Sequence, residues 1–77
     1  MNQAVLDALS AGATICYAPI SGGLILLLKG ERDYRPEVQP TMQEFLELQT
    51  GGKIKHVDMM SQGHHIFHGR VDFYKAV

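Results

Sequence analysis

Four histidines, His56, His64, His65 and His68, crowd into residues 56–68 of this 77-residue chain. Imidazole is the one side chain that changes charge near neutral pH, and it is a common metal ligand. If a short turn centred on Gln62 joins two strands, His56 and His68 stand at equal distances from it. They then become cross-strand neighbours, close enough to share a metal or a proton. His64 or Asp58 would complete the ligand set. One alternative is therefore a histidine-based metal or ligand site at His56, His64 and His68, or a pair whose charging weakens an interface; the plainer reading is a histidine-rich turn that is polar surface. The spacing follows no familiar zinc pattern, and Cys16 is the single cysteine, so neither a thiolate cluster nor an internal disulfide is available.

Nucleophilic chemistry finds less support. Ser10, Ser21 and Ser61 fall at a helix end and in turns, without the strand–turn–helix setting of a nucleophile elbow. Gly22-Gly23 and Gly51-Gly52 are not followed by the Lys-Ser/Thr that opens a phosphate-binding helix, so they read as turn and cap glycines. No cofactor motif is present, and the expectation is a protein that is not an enzyme.

The elements that would position these residues are legible from periodicity. Asn2 caps a first helix whose apolar residues are Val5, Leu6, Ala8 and Leu9, and Gly12 stops it. Thr14 to Ala18 alternates as a strand, with Ile15 and Tyr17 on one face and Cys16 on the other. Pro19 ends it, and Ser21-Gly22-Gly23 turns the chain. Leu24-Ile25-Leu26-Leu27-Leu28 is apolar on both faces, which predicts a central strand covered on both sides. Lys29 to Pro40 is a polar connection. Thr41-Met42-Gln43-Glu44 forms a capping box, followed by an expected buried stripe of Met42, Phe45, Leu46 and Leu48 or Gln49. Lys53 to Met60 forms a third strand, with Ile54 and His56 on one side and Val57 and Met59 on the other. Ile66 to Tyr74 forms a fourth, with Phe67, Val71 and Phe73 opposite His68, Arg70 and Asp72.

The expected fold is α+β in the order αββαββ: one domain with a four-stranded antiparallel sheet and two helices on one face. A helix–hairpin unit over residues 1–30, a linker over 31–40 and a second unit over 41–77 compose it. The phrase Leu9-Ser10-Ala11-Gly12-Ala13-Thr14-Ile15 matches Leu48-Gln49-Thr50-Gly51-Gly52-Lys53-Ile54 at an offset of 39, and Ser21 and Gly23 match Ser61 and Gly63 at 40. This allows an internal pseudo-repeat.

Two helices cover only one face of such a sheet. The other face predicts a protein-binding surface formed by Ile25 and Leu27 with the loop residues Glu31, Arg32, Asp33, Tyr34 and Arg35, used by a partner or by a second copy in a homodimer. Alternatively, the loop carrying Tyr34 and Val38 folds over that face. With seven Lys plus Arg against eight Asp plus Glu, the chain lacks the basic excess typical of nucleic-acid binders. A winged-helix regulator is the competing reading, with Lys53, Lys55, Arg70 and Lys75 on the second hairpin as phosphate contacts. Its recognition helix would carry Glu44 and Glu47 and no Lys or Arg. No apolar run reaches the roughly 18 residues of a membrane span. A cytoplasmic setting without membrane contact follows as the simplest expectation.

Ala8 to Ile15, the glycine-led aliphatic strand, and Val38-Gln39-Pro40-Thr41 leading to a helix and Gly51 together resemble small uncharacterised proteins of Gram-negative bacteria, their phages and mobile elements. The resemblance spans residues 8 to 55 and rests on structural residues, so it carries no catalytic or ligand position across. It implies a contact-based inhibitor or adaptor, in the style of anti-CRISPR and other anti-defence proteins.

Overall fold

The computed structural model describes residues 2–28, 34–61, 67 and 69–77. Helix α1 spans Gln3–Ser10, strand β1 Thr14–Ala18, β2 Gly23–Leu27, helix α2 Met42–Thr50, β3 Ile54–Met60 and β4 Val71–Ala76. The four strands form one sheet in the order β2-β1-β4-β3, and every neighbouring pair is antiparallel. Among the described residues no helix is long and apolar enough to cross a membrane.

Both helices start where their side chains can satisfy the first backbone N–H groups. The Ala4 N–H donates to Asn2 Oδ1 at 2.9 Å. At α2 the capping box is complete: the Glu44 N–H donates to Thr41 Oγ1 at 3.1 Å, and the Thr41 N–H donates to Glu44 Oε1 at 2.9 Å. Glu44 Oε2 also accepts the Asn2 N–H at 2.9 Å, which ties the two helix starts together. These backbone donors, Thr41 first and then Asn2, hold the Glu44 carboxyl below its ordinary range.

The helices pack on one face of the sheet. Val5, Ala8 and Leu9 of α1 and Phe45 and Leu48 of α2 bury against Ile15, Leu26 and Ile54. Phe45 sits with its ring 5.1 Å from those of Tyr17 and Tyr74. The buried stripe of α2 is narrower than its sequence suggests: Met42 and Leu46 are exposed. Phe45 and Leu48 carry the buried stripe of α2, with the Phe45 ring between two tyrosines, and Gln49 is exposed.

The opposite face holds a second core of Cys16, Ala18, Leu27, Val71 and Phe73, with Ile25 and Phe67 packed against it. Leu27 is 1% exposed. It therefore does not lie on an open protein-binding face, and Ile25 is partly buried in the same cluster. Phe67 is a described residue that covers this face. Val38 packs instead on the helix-side core, and Tyr34 is half exposed.

Strand β2 is an edge strand, not a central one. It is apolar on both faces because Leu24 and Leu26 enter one core while Ile25 and Leu27 enter the other. Its outer edge is closed by the connection to α2. The Leu26 N–H donates to Gln39 Oε1 at 2.7 Å, and Gln39 Nε2 donates to the Leu26 carbonyl at 2.9 Å and to the Arg35 carbonyl at 3.0 Å. Tyr34 adds an antiparallel bridge to Leu27. One side-chain amide thus takes the place of a neighbouring strand's peptide.

The repeated phrase keeps no single offset in three dimensions. Both helices end on equivalent caps, with the Ala13 N–H on the Ala8 carbonyl at 3.0 Å and the Lys53 N–H on the Leu48 carbonyl at 2.9 Å. Gly12 and Gly52 both take positive φ, at 101° and 68°. These caps correspond at an offset of 40, whereas Ile15 and Ile54, which both face the helices, correspond at 39.

Candidate functional site

Strand β3 carries the residues singled out by their chemistry. His56 lies opposite Tyr74 in the β3–β4 ladder, with the two rings edge-on at 5.3 Å. It does not lie opposite His68. Strand β4 begins at Val71, which pairs with Met60, so the connection is far longer than a three-residue turn and the symmetry about Gln62 is lost. His64 and His68 lie outside the described residues. Among the described residues no three His, Cys, Asp or Glu side chains converge as metal ligands.

The partner of His56 is Asp72, on the same face of the neighbouring strand. His56 Nε2 lies 2.9 Å from Asp72 Oδ1, and Arg70 reaches that oxygen through Nε at 3.2 Å and Nη2 at 3.0 Å. Asp72 is 5% exposed. Burial alone would raise its pKa, but the hydrogen bonds from His56 and Arg70 outweigh burial and hold it below the ordinary aspartate value. An ionised carboxylate has no proton to give, so the hydrogen of this bond must be on His56 Nε2. Burial, and after it the Asp72 charge, pushes the Tyr74 hydroxyl up.

A carboxylate orienting a half-exposed imidazole is one part of a general-base arrangement. Among the described residues, no serine or cysteine hydrogen-bonds the His56 imidazole. Ser10 ends α1, Ser21 lies in the β1–β2 turn, and Cys16 is buried on the opposite side of the sheet. The cluster instead joins β3 to β4 and the residue before it.

A bulge between His56 and Asp58 rephases β3. Ile54, His56 and Met59 pair with Ala76, Tyr74 and Asp72, all on the helix side, while Lys55, Asp58 and Met60 pair with Lys75, Phe73 and Val71. Met59 is therefore on the same side as His56, contrary to the simple alternation of the sequence. One inserted residue shifts every later side chain to the other face. The bulge also places Lys55 and Asp58 on one face although they are three residues apart. The Met59 N–H donates to Asp58 Oδ1 at 2.7 Å.

The basic residues divide. Lys55 and Lys75 stand directly across from each other, Lys53 sits just before β3, and Arg70 is engaged by Asp72. Of the polar loop, Tyr34 and Arg35 are exposed beside the β2 edge, while Glu31, Arg32 and Asp33 lie outside the described residues.

The two sheet edges differ. That of β2 is closed by Gln39 and Tyr34. Strand β3 is the longest in the sheet at 7 residues, and its side chains after Ile54 are all exposed. Val57, Met59 and Met60 are 42%, 45% and 38% exposed. Among the described residues, none pairs with its outer edge. Sequence reasoning placed a binding surface on a sheet face and missed this edge. It also missed Gln39, whose signal is a lone amide between the apolar Val38 and Pro40.

Comparison with known proteins adds no relative: no family model, curated protein or solved structure matches the chain.

Proposed function

We propose that the chain is a small, non-enzymatic protein-binding module, an inhibitor or adaptor, that engages its partner through the outer edge of β3. The observation that carries this reading is the asymmetry of the two edges. An unpaired strand edge is a template for another chain, and folded proteins ordinarily blunt or cover it. This chain covers β2 with a dedicated glutamine, while among the described residues none pairs with the outer edge of its longest strand, which carries three large exposed apolar side chains. Strand addition draws affinity from main-chain hydrogen bonds and specificity from alternate side chains, which suits an edge of this kind. A photo-reactive benzoylphenylalanine at Met59, with one at Glu37 beside the closed edge as control, tests it in cells. Covalent protein adducts from Met59 and few from Glu37 support the reading. No adduct from Met59, or equal yields from both, overturns it.

A nucleic-acid reading has one observation in its favour, the lysine pair Lys55–Lys75 with Lys53 close by. Like charges directly opposite on a sheet cost stability unless an anion sits between them. It predicts salt-dependent DNA or RNA binding that Lys55→Glu abolishes. The acidic α2 and the net charge of −1 weigh against it.

A further inference from the structure

We propose that the occupant of the β3 edge is a second copy of this chain, paired antiparallel through β3 about a two-fold axis at the His56–Val57 bulge. The inference rests on the reading of β3 as a docking edge. The strand is self-complementary in a single register, and the bulge makes it so. In a regular strand, residues three apart point to opposite faces. Here Lys55 and Asp58 share the side away from the helices, while Ile54 and Met59, five apart, share the helix side. Antiparallel pairing about the bulge sets Lys55 against the partner's Asp58, Ile54 against the partner's Met59, and His56 against the partner's Val57 at the axis. Charge meets charge through Lys55 and Asp58 on one face, and Ile54 meets Met59 on the other.

The charges inside one chain make the same case. The residue across the ladder from Lys55 is Lys75, and the one across from Asp58 is Phe73. Neither charge meets its complement within the sheet, and each would meet it across the open edge. A two-fold axis normal to the sheet keeps all helices on one side, giving a continuous eight-stranded sheet with four helices on one face. The interface is isologous, as closed dimers require. A chain this short buries a modest fraction of its surface, and association is a common remedy at that size.

The test is a charge swap followed by sedimentation or light scattering across a dilution series. Lys55→Glu places Glu against Asp58, and Asp58→Lys places Lys against Lys55. Each substitution alone should raise the dimer Kd by about tenfold or more, since two symmetry-related pairs change from attraction to repulsion. Mixing the two variants restores both pairs in the heterodimer and should return the Kd to near the wild-type value. Circular dichroism melts of the separate variants verify that each is folded. A wild-type chain that stays monomeric at millimolar concentration overturns the proposal, as does a dimer indifferent to both substitutions or unrescued by mixing. Failure here is separable from failure of the edge itself. A monomer whose Met59 probe still yields adducts of foreign mass leaves the docking edge standing and removes only the second copy as occupant. A Met59 probe that yields no adduct of any mass removes both.

Discussion

Replacing Gln39 by Ala removes one side chain and three hydrogen bonds, two to the backbone of Leu26 and one to the Arg35 carbonyl. A hydrogen bond made on folding contributes about 0.5–1.5 kcal/mol net. The site is only part-buried, so water can reach some of the freed groups, and the loss should fall at about 1–2 kcal/mol. For a domain of this size that lowers Tm by roughly 5–15 °C. Gln39→Glu is the sharper variant. It keeps the shape and one acceptor, but it turns the donor facing the Leu26 carbonyl into an oxygen, and it should destabilise at least as much as Ala. Gln43→Ala, whose amide meets only Glu47 on the surface of α2 at 3.3 Å, is the control and should change stability by less than about 0.5 kcal/mol. Urea unfolding of the four proteins measures all of this. If Gln39→Ala matches the control, or Gln39→Glu equals the wild type, the amide does not close the edge, and the contrast between β2 and β3 loses its basis.

Other perturbations probe the remaining contacts. The Asp72 carboxyl has a folded pKa below its unfolded one, so its stabilisation is fully present above about 3.9, the unfolded value, and is lost as pH falls through the folded pKa. Asp72→Asn should therefore flatten the dependence of the urea midpoint on pH across that acid range, and curves parallel to wild type would refute the assignment. Gly23→Ala places a methyl group into the ring of Phe67 and should cost about 1–3 kcal/mol, a loss that Phe67→Ala in the same chain partly relieves. Equal effects in both backgrounds would mean that the ring does not cover β2. Deleting Val57 leaves Lys55 and Asp58 two positions apart on a regular strand, still on one face, and removes the bulge. The dimer should persist with an unchanged or lower Kd in sedimentation, and its loss from a folded variant would count against pairing through β3.

The local features of the fold were readable because they depend on neighbours in sequence. The capping box at Thr41 and Glu44, the cap at Asn2, the glycine stop at Gly12 and the two faces of β1 are each set within a few residues. Strand order was not readable. The run from Leu24 to Leu28 demands burial on both faces, but it does not say that a side chain thirteen positions away will stand in for the next strand. The same limit applies to the second core. Phe67 folds back over a face that the helices leave open, from a connection whose length the sequence alone does not fix.

The site was legible as residue types and misread as geometry, because a bulge leaves no mark in a polar–apolar pattern. Residues 53–60 read as a regular strand places Met59 away from His56 and separates Lys55 from Asp58. With one residue inserted after it, His56 keeps the face of Ile54, toward Asp72 and Tyr74, Met59 joins it on the helix side, and the two opposite charges share the other. Bulges usually protect an edge by twisting it out of register with intruding strands. Here the inserted residue lies near the middle of the strand. A distortion at the centre of an edge strand rejects a straight partner but accepts one carrying the same distortion, and the partner guaranteed to carry it is another copy of the same strand. In the proposed pairing, selectivity for a second copy thus arises from one inserted residue.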